Sequence, residues 1–164
     1  TMRLGAYPAV LARGSKVAIL EGIPTAFNAQ QRRLGFEDAM REAGMTVVSV
    51  QSAHWEQDEA NTISAALLRE HPDLAAILAS NDNMALGAAA AVRQASRVGT
   101  VAVVGFDHIA AVQQLLKEGR IAATADQHGD KLAVYGIEYA LGILKGETTP
   151  QDRQTPVDVI TAPK

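Results

Sequence analysis

No cysteine occurs in the 164 residues. A disulfide framework, a thiolate metal site and a cysteine nucleophile are therefore excluded, and the lack is compatible with an oxidising compartment. Aromatic residues are scarce, at 4% of the chain, with a single tryptophan, Trp55, so the core must be aliphatic. Charge of one sign is missing too: 15 Lys and Arg against 18 Asp and Glu leave a formal charge of −3. These charges are scattered rather than blocked, which gives no electrostatic footprint for nucleic acid. No apolar run approaches the roughly 18 residues of a membrane span. The turn Glu21-Gly22-Ile23-Pro24-Thr25 fits neither a G-x-G-x-x-G nor a Walker phosphate loop. A serine-hydrolase elbow is absent. The four histidines, His54, His71, His108 and His128, lack the i, i+4 spacing with a glutamate that marks a zinc protease. His108 adjoins Asp107, but neighbours along a strand end point in divergent directions. No catalytic residue, metal set or cofactor is expected. Binding without chemistry fits better.

What is present is a regular alternation. Short apolar, β-branched runs at Lys16–Leu20, Met45–Val50, Leu74–Ala79, Val101–Val104 and Ile121–Thr124 read as strands. Between them lie helical stretches. The first begins near Asn28 and repeats Phe36, Ala39, Met40 and Ala43 before Gly44 supplies a left-handed stop. Asp58–Glu70 buries Ala60, Ile63 and Leu67, and Pro72 forbids its continuation. Further helices are read at Asp82 to about Ala95, Ala110–Lys117 and Lys131–Leu144, with Pro156–Ile160 as a terminal strand. Pro150–Thr155 is the one linker-like stretch. At 17.3 kDa the chain is about one domain with a real core. Strands joined through helices predict an α/β fold, a three-layer doubly wound parallel sheet of order 2-1-3-4-5.

Such a sheet binds ligands beyond the carboxyl ends of its strands, and polar residues cluster there. Asn81 and Asp82 follow the third strand and Asp107 follows the fourth. One of Asn81 and Asp82 caps the next helix, leaving the other free to face the crevice, and Asp107 is either a cap or a ligand group. Trp55, in the polar loop after the second strand, either closes the core edge or stacks on a ligand. Gln127 alone would be an ordinary loop residue.

The segments Val17–Ile23, Arg33-Leu34-Gly35-Phe36, Asn81–Gly87, Val104–Asp107 and Ile121–Thr124 together resemble the ribose-type periplasmic sugar-binding proteins of ABC importers. The resemblance runs from about Gly14 to the C-terminus and covers the second half of such a protein. It implies one lobe of a type I periplasmic binding protein, with residues 1–127 the second (C-terminal) lobe. Residues 128–153 would be a crossover segment whose helix belongs to the first lobe, and 154–164 a return strand and tail. It places sugar-hydroxyl ligands at Asn81, Asp107 and Gln127 and the stacking aromatic at Trp55. The family's sugar-contacting arginine falls, in the ungapped register, on Gln30, with Arg32 and Arg33 just beyond; Asn28 and Gln30 are the weaker contacts. The ligand implied is a monosaccharide or related polyol, with an ABC permease as partner in the full-length protein. The location implied is the periplasm, or the cell exterior with a lipid anchor. Thr1–Leu4 do not look like a secretory signal. The apolar helix 131–144, uncovered by a first lobe, is expected to fold back or to pair two copies as a homodimer. Two alternatives are an inducer-binding domain of a lac-repressor-type regulator and an enzyme on a flavodoxin-like fold; the stretch Ile121–His128 favours the transporter type.

Overall fold

Strands and helices alternate strictly in the computed structural model, which describes residues 11–147 and 153–162. The expectations for Thr1–Leu4 and for residues 150–152 lie outside the described residues. The elements are β1 (Lys16–Glu21), α1 (Phe27–Ala43), β2 (Thr46–Ser52), α2 (Gln57–Glu70), β3 (Leu74–Ala79), α3 (Asp82–Gln94), β4 (Ala102–Phe106), α4 (Ala110–Lys117), β5 (Ala123–Asp126), α5 (Gly129–Leu144) and β6 (Asp158–Thr161). The sheet order is β2-β1-β3-β4-β5-β6. The expected parallel order 2-1-3-4-5 is thus present, and β6 adds one antiparallel edge strand against β5.

Period-two alternation splits the sheet into two faces. Val17 and Ile19 of β1, with Ala76, Leu78, Ala102 and Val104, meet Phe36 and Met40 of α1. Ala18 and Leu20 face the other way, with Leu67 of α2, Met84, Ala88 and Val92 of α3, and Val112 and Leu116 of α4. Helices therefore cover both faces, as a parallel sheet requires. Helices α2 and α3 approach closely. A Cβ on Gly87 would stand 2.1 Å from the Gln57 carbonyl oxygen, so only glycine lets the two backbones approach.

Three local expectations are corrected. Asn81 is the N-cap of α3, its Oδ1 accepting the Met84 amide at 2.9 Å, and Asp82, expected in that case to face the crevice, is fully buried. The fifth strand begins two residues late, at Ala123, because the Ile121 amide is taken by Leu115 in the turn after α4. Helix α5 does not fold back: none of its residues is buried, and Ile137, Leu141 and Leu144 are exposed.

Candidate functional site

The carboxyl ends of β2, β3, β4 and β5 bring four short segments to one edge of the sheet. Three of them hold non-glycine residues in the left-handed region: His54 and Trp55 after β2, Asp107 and His108 after β4, and His128 after β5. Such conformations are costly and persist only where the surroundings over-determine them. At Asp107, with φ of 110°, the anchors are visible. Its amide donates to Ala125 O at 2.8 Å, and the two following amides donate to Thr124 Oγ1 and Asp82 Oδ2.

Arg32 of α1 organises the crevice. Its guanidinium donates to Ser80 O at 2.8 Å, to Asp107 Oδ1 at 3.2 Å and to Gln127 Oε1 at 3.4 Å. Gln127 Nε2 in turn donates to the same Asp107 oxygen at 2.8 Å. The Arg32 guanidinium lies 3.9 Å from the centroid of the Phe106 ring and 5.6 Å from that of Trp55, within cation–π range. Trp55 packs its indole on the backbone of Gly22, where a Cβ would meet ring atoms at 2.1 Å. Asn81 Nδ2 reaches the Trp55 carbonyl at 3.5 Å. Trp55, Arg32, Phe106, Asp107 and Gln127 thus form one half-buried cluster, with Asn81 bracing it from beneath.

Burial sets the electrostatics. It pushes the Asp107 carboxyl above its ordinary value, and the nearby Arg32 charge only partly opposes this. The same desolvation lowers the Arg32 guanidinium. Both partners shift against ionisation, because each gives up hydration on burial while they share a single 3.2 Å contact. Asp107 Oδ2 takes no hydrogen bond from the described residues. A neutral molecule with several hydroxyls can donate to that oxygen and accept from Arg32, offsetting the cost.

Asn28 and Gln30 are not brought to this cluster. Asn28 is exposed, its Oδ1 accepting the Ala29 amide, and Gln30 donates to Pro24 O on the surface. Gln30 therefore stays on the surface, and the arginine that reaches the crevice is Arg32. Positions 30 and 32 sit about 200° apart around a helix, so both cannot face the sheet. The signal for Arg32 lay in the helix pattern: Ala29, Phe36 and Met40 are the buried residues of α1, and Arg32 falls on their stripe. Phe106 was also missed, and it sits one residue before Asp107 at the strand end. His108 turns away from the cluster, its Nδ1 lying 3.4 Å from Asp126 Oδ2. Among the described residues no group of acidic or histidine side chains is placed to hold a metal ion.

An α/β lobe with an aromatic platform and a charge-assisted polar cluster at the sheet's carboxyl edge is a ligand-binding lobe. The family model described as the periplasmic binding protein domain matches residues 6–148, and the chain belongs to that family. It is 53% identical over 154 residues to the D-ribose/D-allose-binding protein of Pseudomonas aeruginosa, covering 92% of this chain and 48% of that one. An ABC transporter solute-binding protein from Burkholderia multivorans superposes with a TM-score of 0.87 at 51% identity, over 92% of this chain and 54% of that one. One from Actinobacillus succinogenes with bound D-allose also gives 0.87, at 35% identity, over 91% and 53%. The chain spans about half the length of the curated relatives it matches. These relatives are binding proteins of transport systems, which disfavours the regulator and enzyme alternatives.

Proposed function

We propose that the chain is the C-terminal lobe of the substrate-binding component of an ABC sugar importer, taking a monosaccharide or related polyol without chemistry. The observation that carries this is the shared Asp107 oxygen, bonded by Arg32 and Gln127 beside the Trp55 and Phe106 rings. Paired hydroxyls suit the carboxylate and guanidinium, and the apolar face of a sugar ring suits an aromatic platform. The binding set is Trp55, Arg32, Asp107 and Gln127, with Asn81 contributing its remaining N–H. D-Ribose and D-allose are the first candidates, because the named relatives carry those sugars in their names or structures. In the full-length protein the site works in the periplasm, or tethered outside the cell, and delivers its ligand to a permease.

Residues 1–127 are the lobe proper, 128–153 the crossover and 154–164 the return. The exposed residues Ile137, Leu141 and Leu144 of α5 fit a face that packs on the other lobe. In the 164-residue form that face pairs two copies, since leaving several such side chains in water forfeits about 1.5–3 kcal/mol each. Light scattering at high concentration tests this: a monomer at all concentrations counts against pairing. The sugar reading is tested by a thermal-shift screen of monosaccharides, polyols and nucleotides. Stabilisation by a sugar or polyol, absent in Asp107→Ala, is expected; stabilisation by nucleotides alone would overturn it.

A further inference from the structure

Asp82 is a carboxylate with no exposed surface and no ion-pair partner among the described residues. It accepts two hydrogen bonds: Thr124 Oγ1 donates to Oδ1 at 2.7 Å, and the Ile109 amide donates to Oδ2 at 2.9 Å. The Thr124 hydroxyl has one proton, and Asp82 takes it. Its lone pairs are left to accept the His108 amide at 3.3 Å. Asp82 therefore fixes the two residues that follow Asp107, one directly and one through Thr124. A Cβ on Gly105 would stand 2.0 Å from Asp82 Oδ1, so β4 leaves room for this carboxylate and for nothing larger. Both Asp107 and His108 sit at positive φ, a conformation that needs such external support.

We propose that Asp82 is a positioning residue of the binding site: through Ile109 and Thr124 it holds the 107–109 turn so that the Asp107 carboxylate faces Arg32 and the ligand. It touches no ligand itself. An amide in its place cannot do the same. The substitution Asp82→Asn would keep one acceptor oxygen for Ile109 and turn an N–H₂ toward Thr124. That hydroxyl would then have to accept from it, stranding its own buried proton. The inference rests on the sugar-binding reading for its affinity readout, and it has a second readout that does not.

The test uses the 164-residue chain labelled with ¹⁵N and titrated by NMR with D-ribose and with D-allose. Asp82→Asn and Thr124→Val are expected to weaken binding by about tenfold, as for a lost buried hydrogen bond, while Thr124→Ser stays close to wild type. In an Asp107→Asn background, Asp82→Asn should change the dissociation constant by less than about twofold, because its effect runs through Asp107. Independently of any sugar, Asp82→Asn and Thr124→Val should shift the Ile109 and His108 amide resonances and alter the Asp107 HN–Hα coupling. Equal weakening in both backgrounds, or unchanged affinity in a folded Asp82→Asn chain, would overturn the proposal. If Asp82→Asn fails to fold, Thr124→Val decides on the same criteria. If the wild-type chain binds neither sugar, the functional reading loses support, and the turn resonances alone judge the positioning role: an unmoved Asp107 coupling refutes it.

Discussion

Replacing Gly22 by alanine should dislodge Trp55, and the size of the effect follows from the geometry. The new Cβ would lie 2.1 Å from ring atoms Cε2 and Cζ2 and 2.3 Å from Cη2. Carbon atoms pack at about 3.5 Å or more, so the ring must retreat by roughly 1.4 Å or swing out. The Trp55 backbone cannot simply follow. It is held between Ala53, whose amide donates to Glu21 O at 3.0 Å, and Glu56, whose amide donates to Ala53 O at 2.7 Å. Overpacking of this kind costs about 1–3 kcal/mol, which for a chain of this length lowers Tm by roughly 2–12 °C. A displaced ring also loses its cation–π contact with Arg32, about 0.5–1 kcal/mol at a partly exposed site. Trp55 is the only tryptophan in the sequence, so its fluorescence reports the ring without ambiguity. Gly22→Ala should give a red-shifted emission and a lower Tm. In a Trp55→Ala background the same substitution should cost under about 0.5 kcal/mol, because the atoms it strikes are gone. Wild-type emission and Tm in Gly22→Ala would refute the packing of Trp55 on Gly22.

Further outcomes follow from the same structure. Asn81→Ala removes the cap of α3 and should destabilise by about 1 kcal/mol, measured by urea unfolding, with Asn81→Asp losing much less. Gly87→Ala drives a Cβ into the Gln57 carbonyl and should cost more than about 1 kcal/mol; a neutral result would contradict the close α2–α3 contact. Burial raises the Asp82 carboxyl above its ordinary value of 3.8. The native state therefore binds that proton more tightly than the unfolded chain, and this group's contribution to stability falls as pH rises through the interval between 3.8 and the raised value. Asp107 carries the same sign. Tm measured against pH for wild type minus Asp82→Asn should decline across that interval and flatten above it, and a difference that rises with pH would contradict the assignment.

Much of this is legible in the residues, for identifiable reasons. Runs such as Leu74–Ala79 are uniformly apolar because a central parallel strand is buried on both faces, and β3 begins and ends where that run does. Gly44 marks the end of α1 because its φ of 70° favours glycine. Trp55 and Asp107 emerge from asking what stands just past a strand, whereas Gln127 stands out only through the family resemblance. Arg32 emerges from neither, because its place depends on the rotation of α1 about its axis, and a linear register with the family obscures it. The division of labour between Asn81 and Asp82 is equally hidden. Adjacent residues at a helix start point in different directions, and only the partner positions, Met84 for one and Thr124 with Ile109 for the other, assign their roles. The uncovered apolar face expected of helix α5 is present: none of its residues is buried, although Arg153 stands over the Tyr135 ring.

Isothermal titration of D-ribose and D-allose into the purified chain and into Asp107→Ala tests the central claim most directly. One lobe supplies one set of polar contacts to an open crevice, and each missing hydrogen bond costs about 1 kcal/mol. The account predicts saturable binding of at least one of the two sugars, weaker than about 1 μM, abolished in Asp107→Ala while that variant remains folded. Sub-micromolar binding would contradict the one-sided site. No heat from either sugar, or binding that survives Asp107→Ala, would contradict the assignment of this crevice as a sugar site.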